Sequence, residues 1–186
     1  MNDVQLEFTP NPNTLKYITS RTLVEVGGAY FSNPEAAEGK SLLASQLFST
    51  TGISAVMLGR DFVTITKAED AEWDTVHQDA MDIIKAFLDS GEPALSLSAQ
   101  VTSGHITEAL TENEKKIQDL LDREIRPAVA QDGGDIVFEG FRDGVVYLYL
   151  KGSCAGCPSS TATLKQGIEK RLKELVPEVR EVVSVA

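Results

Sequence analysis

Apolar and polar positions alternate at the start of the chain. Val4-Gln5-Leu6-Glu7-Phe8 switches at every residue, the period of a half-buried strand. Thr9-Pro10-Asn11-Pro12-Asn13 then predicts a turn, because each proline fixes φ and lacks an N–H. Leu23-Val24-Glu25-Val26 is a second strand candidate, closed by Gly27-Gly28. A short helix is expected over about 41–48, then strands at 55–58 and 62–66 joined as a hairpin through Gly59-Arg60-Asp61. Over 72–88 the period lengthens to that of a helix, with Trp73, Val76, Ala80, Ile83, Ile84 and Phe87 on one stripe.

Gly91-Glu92-Pro93 stops that helix, and 91–107 is thinly charged, rich in small polar residues and without a period, so it reads as a linker. Thr111-Glu112-Asn113-Glu114 beyond it has the form of a capping box. The helix it opens directs Ile117, Leu120, Leu121, Ile125, Ala128 and Val129 inward, with a distortion expected at Pro127. Asp132-Gly133-Gly134-Asp135 ends it. Strands follow at 136–141 and 145–151, turning at Arg142-Asp143-Gly144; Val146, Leu148 and Leu150 face one side and Val145, Tyr147 and Tyr149 the other. A helix over about 159–175 presents Leu164, Ile168, Leu172 and Leu175, and a last strand covers 179–185. The prediction is an α+β chain of two small domains, 1–90 and 108–186, joined by 91–107. The second runs α-β-β-α-β, a sheet with helices on one side.

Charge changes the picture mainly by exclusion. The formal net charge of the 186 residues is −11, which disfavours a nucleic-acid partner, since phosphate binding needs basic patches. The acidity belongs mostly to residues 1–90, with six basic against thirteen acidic side chains. The chain opens acidic and strand-like, without the basic or Arg-rich character of a leader, and no apolar run has the length to span a bilayer. The expected setting is cytoplasmic, with no membrane partner; a mature organellar protein freed of its presequence also fits these residues.

The chemistry is concentrated in Cys154-Ala155-Gly156-Cys157, which contains both cysteines of the chain. Two thiolates three apart can grip a soft metal centre from one side, but a tetrahedral or cluster site of sulfur asks for four. The pair falls between a strand end and a helix start, where the partial positive charge of the helix terminus favours thiolate. Gly152 and Gly156 allow tight turning, Pro158 suits helix entry, Ser159, Ser160 or Thr161 can cap, and Lys151 and Lys165 bracket the loop. Four readings stay open. Inert thiols are disfavoured by the glycine-flanked CxxC. A thiol–disulfide redox protein of thioredoxin type places its motif early, whereas only 29 residues follow Cys157 here. Zinc shared by two chains satisfies the sulfur count. An iron–sulfur cluster bridging a homodimer does so too, and a centre held on surface loops between subunits is easy to unload. His77 and His105 have no paired ligand spacing and read as ordinary surface residues.

Asp132-Gly133-Gly134-Asp135, the hairpin ending in Leu148-Tyr149-Leu150-Lys151-Gly152, and Cys154-Ala155-Gly156-Cys157-Pro158-Ser159-Ser160 with Thr163-Leu164 and Gly167-Ile168-Glu169 together resemble the NifU-like C-terminal domain. Thr9-Pro10-Asn11-Pro12-Asn13-Thr14-Leu15-Lys16-Tyr17, supported by the 62–66 strand and the Trp73 helix, resembles the Nfu N-terminal domain. The resemblance implies an iron–sulfur cluster scaffold and carrier rather than an enzyme. It implies Cys154 and Cys157 as ligands of a [4Fe-4S] cluster shared between two chains, with [2Fe-2S] as a transient form. The implied partners are apo iron–sulfur proteins as recipients, an upstream assembly scaffold as donor, and a second copy of the chain once the cluster binds.

Overall fold

A computed structural model describes residues 3–25, 27–96, 110–155 and 158–185, with only the backbone described at 158–160. The chain divides into two compact units, Met1–His105 and Ile106–Ala186. Both are α+β.

The first unit is an antiparallel sheet of order β1-β2-β5-β4-β3. Its elements are β1 (Val4–Phe8), β2 (Thr14–Thr19), β3 (Ala29–Phe31), α1 (Pro34–Ala37), α2 (Leu42–Phe48), β4 (Ile53–Leu58), β5 (Phe62–Lys67) and α3 (Trp73–Ser90). Ser41 caps α2 by accepting from the Ala44 N–H at 3.1 Å. Leu43 and Leu47 of α2 and Val76, Ala80, Ile84 and Phe87 of α3 bury one core with Leu15, Tyr17, Val56, Leu58, Val63 and Ile65 of the sheet. Each such large aliphatic side chain contributes roughly 1.5–3 kcal/mol by leaving water. The Thr9–Asn13 turn is held by local bonds. Thr9 Oγ1 lies 3.2 Å from Asn11 N, and Asn11 Oδ1 accepts from the Asn13 N–H at 3.0 Å. Trp73 Nε1 donates to the Pro12 carbonyl at 3.0 Å and ties α3 to the same turn.

Three sequence expectations change here. Leu23 and Val24 are buried but form no strand; the Leu23 N–H bonds the Arg60 carbonyl, and the third strand is Ala29–Phe31 (Val26 lies outside the described residues). Residues 91–96 pack on the first unit instead of leaving it. Ala94 and Leu95 are buried, and the Ser96 N–H bonds Lys40 O at 2.8 Å. His77 is no bare surface residue but the partner of the Tyr17 hydroxyl; His105 lies outside the described residues.

The second unit runs α4 (Glu112–Leu120), a π turn (Leu121–Ile125), α5 (Arg126–Gln131), β6 (Gly134–Arg142), β7 (Val145–Gly152), α6 (Pro158–Leu175) and β8 (Glu181–Val185). The capping box is complete: Thr111 accepts from the Glu114 N–H, and Glu114 reaches back to the Thr111 N–H. The distortion expected at Pro127 takes the form of the π turn, in which the Arg126 N–H bonds Leu121 O, five residues back. One residue is absorbed there. At 100° per residue a straight helix would set Ala128 above Leu121; the wide turn delays this by one, so Val129 is buried and Ala128 is exposed. β6 and β7 form a hairpin through Asp143 (φ 51) and Gly144 (φ 81). β8 joins β7 in parallel, with α6 as the crossover. Ile117, Leu121, Ile168 and Leu172 of the helices meet Ile136, Val146, Leu148 and Val182 of the sheet in one core. Leu175, expected inward, is exposed, and Val176 is buried in its stead.

Candidate metal centre

Cys154 lies two residues past the end of β7, the central strand of the sheet, where the crossover to α6 begins. Gly152, with φ 64, breaks the strand, and the Ala155 N–H bonds the Gly152 carbonyl at 3.0 Å to close a tight turn around the cysteine. Thr161, in the first turn of α6, donates to the Cys154 carbonyl at 3.1 Å. Thr161 therefore tethers the loop rather than capping the helix. Cys157, Gly156 and the side chains of Ser159 and Ser160 lie outside the described residues.

The floor of the loop is the glycine turn between α5 and β6. The Ser153 N–H bonds Gly133 O at 3.2 Å, and Ser153 Oγ donates to Asp132 O. Gly133 has φ 77, which favours glycine by conformation. Asp135 sets the turn. Arg126 Nε and Nη2 donate to Asp135 Oδ1 and Oδ2 at 2.9 and 3.0 Å, a bidentate pair, while Oδ1 also accepts from the Ile136 N–H at 2.8 Å. Arg126 further reaches Asp122 at 3.1 Å. The π turn, α5 and β6 are thus locked together directly beneath the cysteine.

The electrostatics differ from the sequence expectation. Cys154 is buried, and burial pushes its thiol up to about 11, with the carboxylates of Asp132 and Asp135 adding to the rise and a hydrogen bond from Ser153 opposing it. Lys165 is paired with Glu181 at 3.3 Å. Lys151 faces Asp135 across the hairpin; burial draws its pKa down, against the attraction of Asp135. Neither lysine stands as an isolated cation over the loop.

Among the described residues no group of three or more His, Cys, Asp or Glu side chains could hold a metal ion. Two thiols in the whole chain fit half of a four-sulfur site and no more. Gly134, Ser153 and the Arg126–Asp135 pair are supports to which sequence reasoning gave no role at the loop, and Thr161 holds the Cys154 carbonyl in place of the cap expected of it. The Asp132-Gly133-Gly134-Asp135 string was the signal for them; it reads as a helix stop and as part of the family resemblance, but not as the floor of the loop.

Residues 117–183 match the model of the NifU-like domain, and residues 4–91 match that of the scaffold protein Nfu/NifU N-terminal domain. The human protein named NFU1 iron-sulfur cluster scaffold homolog, mitochondrial, is 42% identical over 98% of this chain and 71% of its own length. The chain belongs to the Nfu/NifU-like iron–sulfur cluster scaffold family. The Drosophila ananassae protein of the same name is 41% identical over 98% of this chain, and the chain spans 64% of that relative's length. A NifU-like protein from Saccharomyces cerevisiae, solved by NMR, has 28% identity and a TM-score of 0.47 over 51% of this chain and 85% of that one. Among these scaffolds the CxxC, the hairpin and the glycine turn of this chain fall within the NifU-like match, and the Thr9–Asn13 turn within the Nfu match.

Proposed function

We propose that this chain is an iron–sulfur cluster scaffold and carrier. Cys154 and Cys157 of each of two chains hold a [4Fe-4S] cluster, which then passes to apo iron–sulfur proteins. The observation that carries the reading is that both cysteines of the chain fall within one CxxC that follows β7 in the sequence, half the number of thiolates that a cluster needs. The second half comes from a second copy, so the dimer forms around its cargo. Transfer is ligand exchange. Each recipient thiol gives up a proton and takes an iron site, and each released thiolate of the carrier takes up a proton. No net oxidation or reduction occurs. [2Fe-2S] is a transient form on the way to the larger cluster, and an upstream scaffold supplies the cargo. The relatives named above are called mitochondrial. We place this chain in a thiol-reducing compartment, the cytoplasm or the mitochondrial interior. The acidic first unit docks recipients and favours basic ones.

Anaerobic reconstitution tests the reading. The expected product is brown, absorbs broadly towards the blue, contains iron and acid-labile sulfide in equal amounts, and has the mass of two chains. Cys154→Ser and Cys157→Ser should each abolish stable loading and leave both units folded. A colourless zinc dimer, metal-free disulfide reductase activity, or a double-serine chain that loads normally would overturn it.

A further inference from the structure

The Cys154 sulfur occupies space that a side chain on Gly134 would need. A Cβ placed on Gly134 falls 2.3 Å from Cys154 Sγ and 3.2 Å from Cys154 Cβ, with the Lys151 carbonyl at 3.1 Å. Gly134 opens β6 and is paired with Gly152. Unlike Gly133, it does not have a left-handed φ, so the backbone does not ask for glycine at this position. The sulfur does. Cys154 is 7% exposed, whereas a ligand to a cluster shared across two chains must be reached by iron and by incoming thiols.

We propose that Gly134 is a positioning residue for cluster loading: its missing side chain is a berth that holds the Cys154 sulfur inward in the unloaded chain. Loading requires the loop to swing that sulfur out. This rests on the reading of Cys154 as a ligand. The swing breaks few bonds, among them those from Ser153 to the 132–133 carbonyls and from Thr161 Oγ1 to Cys154 O. The strand and the glycine turn stay in place, because Arg126 holds Asp135 independently of the loop. A berthed thiol is withheld from oxidants and alkylating agents; one swung outward and not yet bound to iron is open to them.

The test uses the full chain carrying Cys157→Ser, in which Cys154 is the sole thiol. Its reaction with iodoacetamide should be slower than that of a small free thiol. Adding Gly134→Ala should speed it about tenfold by driving the sulfur from the berth. Gly167→Ala, which adds a methyl group to open space, should leave the rate unchanged. In the two-cysteine chain Gly134→Ala should quicken iron uptake; uptake at the parent rate overturns the loading role. An unchanged or slower alkylation rate, in a Gly134→Ala chain with parental circular dichroism, overturns the berth. Should Gly134→Ala unfold the unit, Thr161→Val and Ser153→Ala decide, since both loosen the loop without adding bulk. They should speed alkylation, and parental rates in both overturn the berth. Failure of the ligand reading is separate: it would show as normal loading of Cys154→Ser, whatever the alkylation rates.

Discussion

The imidazole of His77 stacks on the ring of Tyr17, with centroids 5.7 Å apart and planes inclined by 19°, and its Nδ1 lies 3.1 Å from the Tyr17 hydroxyl. Tyr17 is fully buried between β1 and β5, and His77 on α3 provides a polar partner for its hydroxyl.

Burial holds the Tyr17 hydroxyl protonated well above the ordinary phenol value of 10.0. The folded chain then keeps a proton that the unfolded chain gives up. The stability linked to this group is fully present below pH 10 and declines as pH rises above it. Urea unfolding at stepped alkaline pH should show this loss. Tyr17→Phe should flatten the dependence and cost about 1 kcal/mol at neutral pH for the lost hydrogen bond. An equally steep alkaline loss in Tyr17→Phe would assign the effect elsewhere.

Asp135→Ala should destabilise the second unit by about 3 kcal/mol, because it leaves the Arg126 guanidinium with only the partly exposed Asp122. The same change removes the acceptor of the Ile136 N–H. Amide exchange in β6 should accelerate while the first unit keeps its protection. Parental exchange at Ile136 would show that the pair does not set the turn.

A chain that begins at residue 106 should still load a cluster, since the core of the second unit is its own. Its transfer to some recipients should slow, most of all to basic ones, because the acidic first unit is gone. Equal transfer to every recipient would argue against a docking role. Removal of residues 1–90 alone is a poorer experiment: Ala94 and Leu95 would then lose the core that buries them.

Elements with a clean period were legible in the sequence. β1, the β4–β5 hairpin, α3, the capping box and the β6–β7 hairpin all lie where alternation, helical spacing or turn residues put them. β2 was not, because the alternation of Thr14-Leu15-Lys16-Tyr17 lasts only four residues before Ile18 breaks it. It runs between β1 and β5; Leu15 and Tyr17 enter the core on one face, while on the other Lys16 pairs with Glu7 at 3.2 Å and lies over the Phe62 ring. Leu23 and Val24 show the reverse error, since apolar residues can be buried without belonging to a sheet. For the cysteine loop, spacing alone located the chemistry. Spacing could not disclose that the thiol is turned inward, because that depends on an absent atom twenty residues upstream, at Gly134.

The surplus residue in Leu121–Ile125 and the proline after it form a single accommodation. Pro127 has no N–H to offer the preceding turn and crowds the carbonyl four residues back, and the wide turn gives it room. A redesigned chain that replaced Pro127 by alanine could shed one residue from 121–125 and wind a plain α-helix. Arg126 and Val129 would keep their bearings on Asp135 and the core. A chain that kept the proline could not be shortened there without forcing the ring against the backbone.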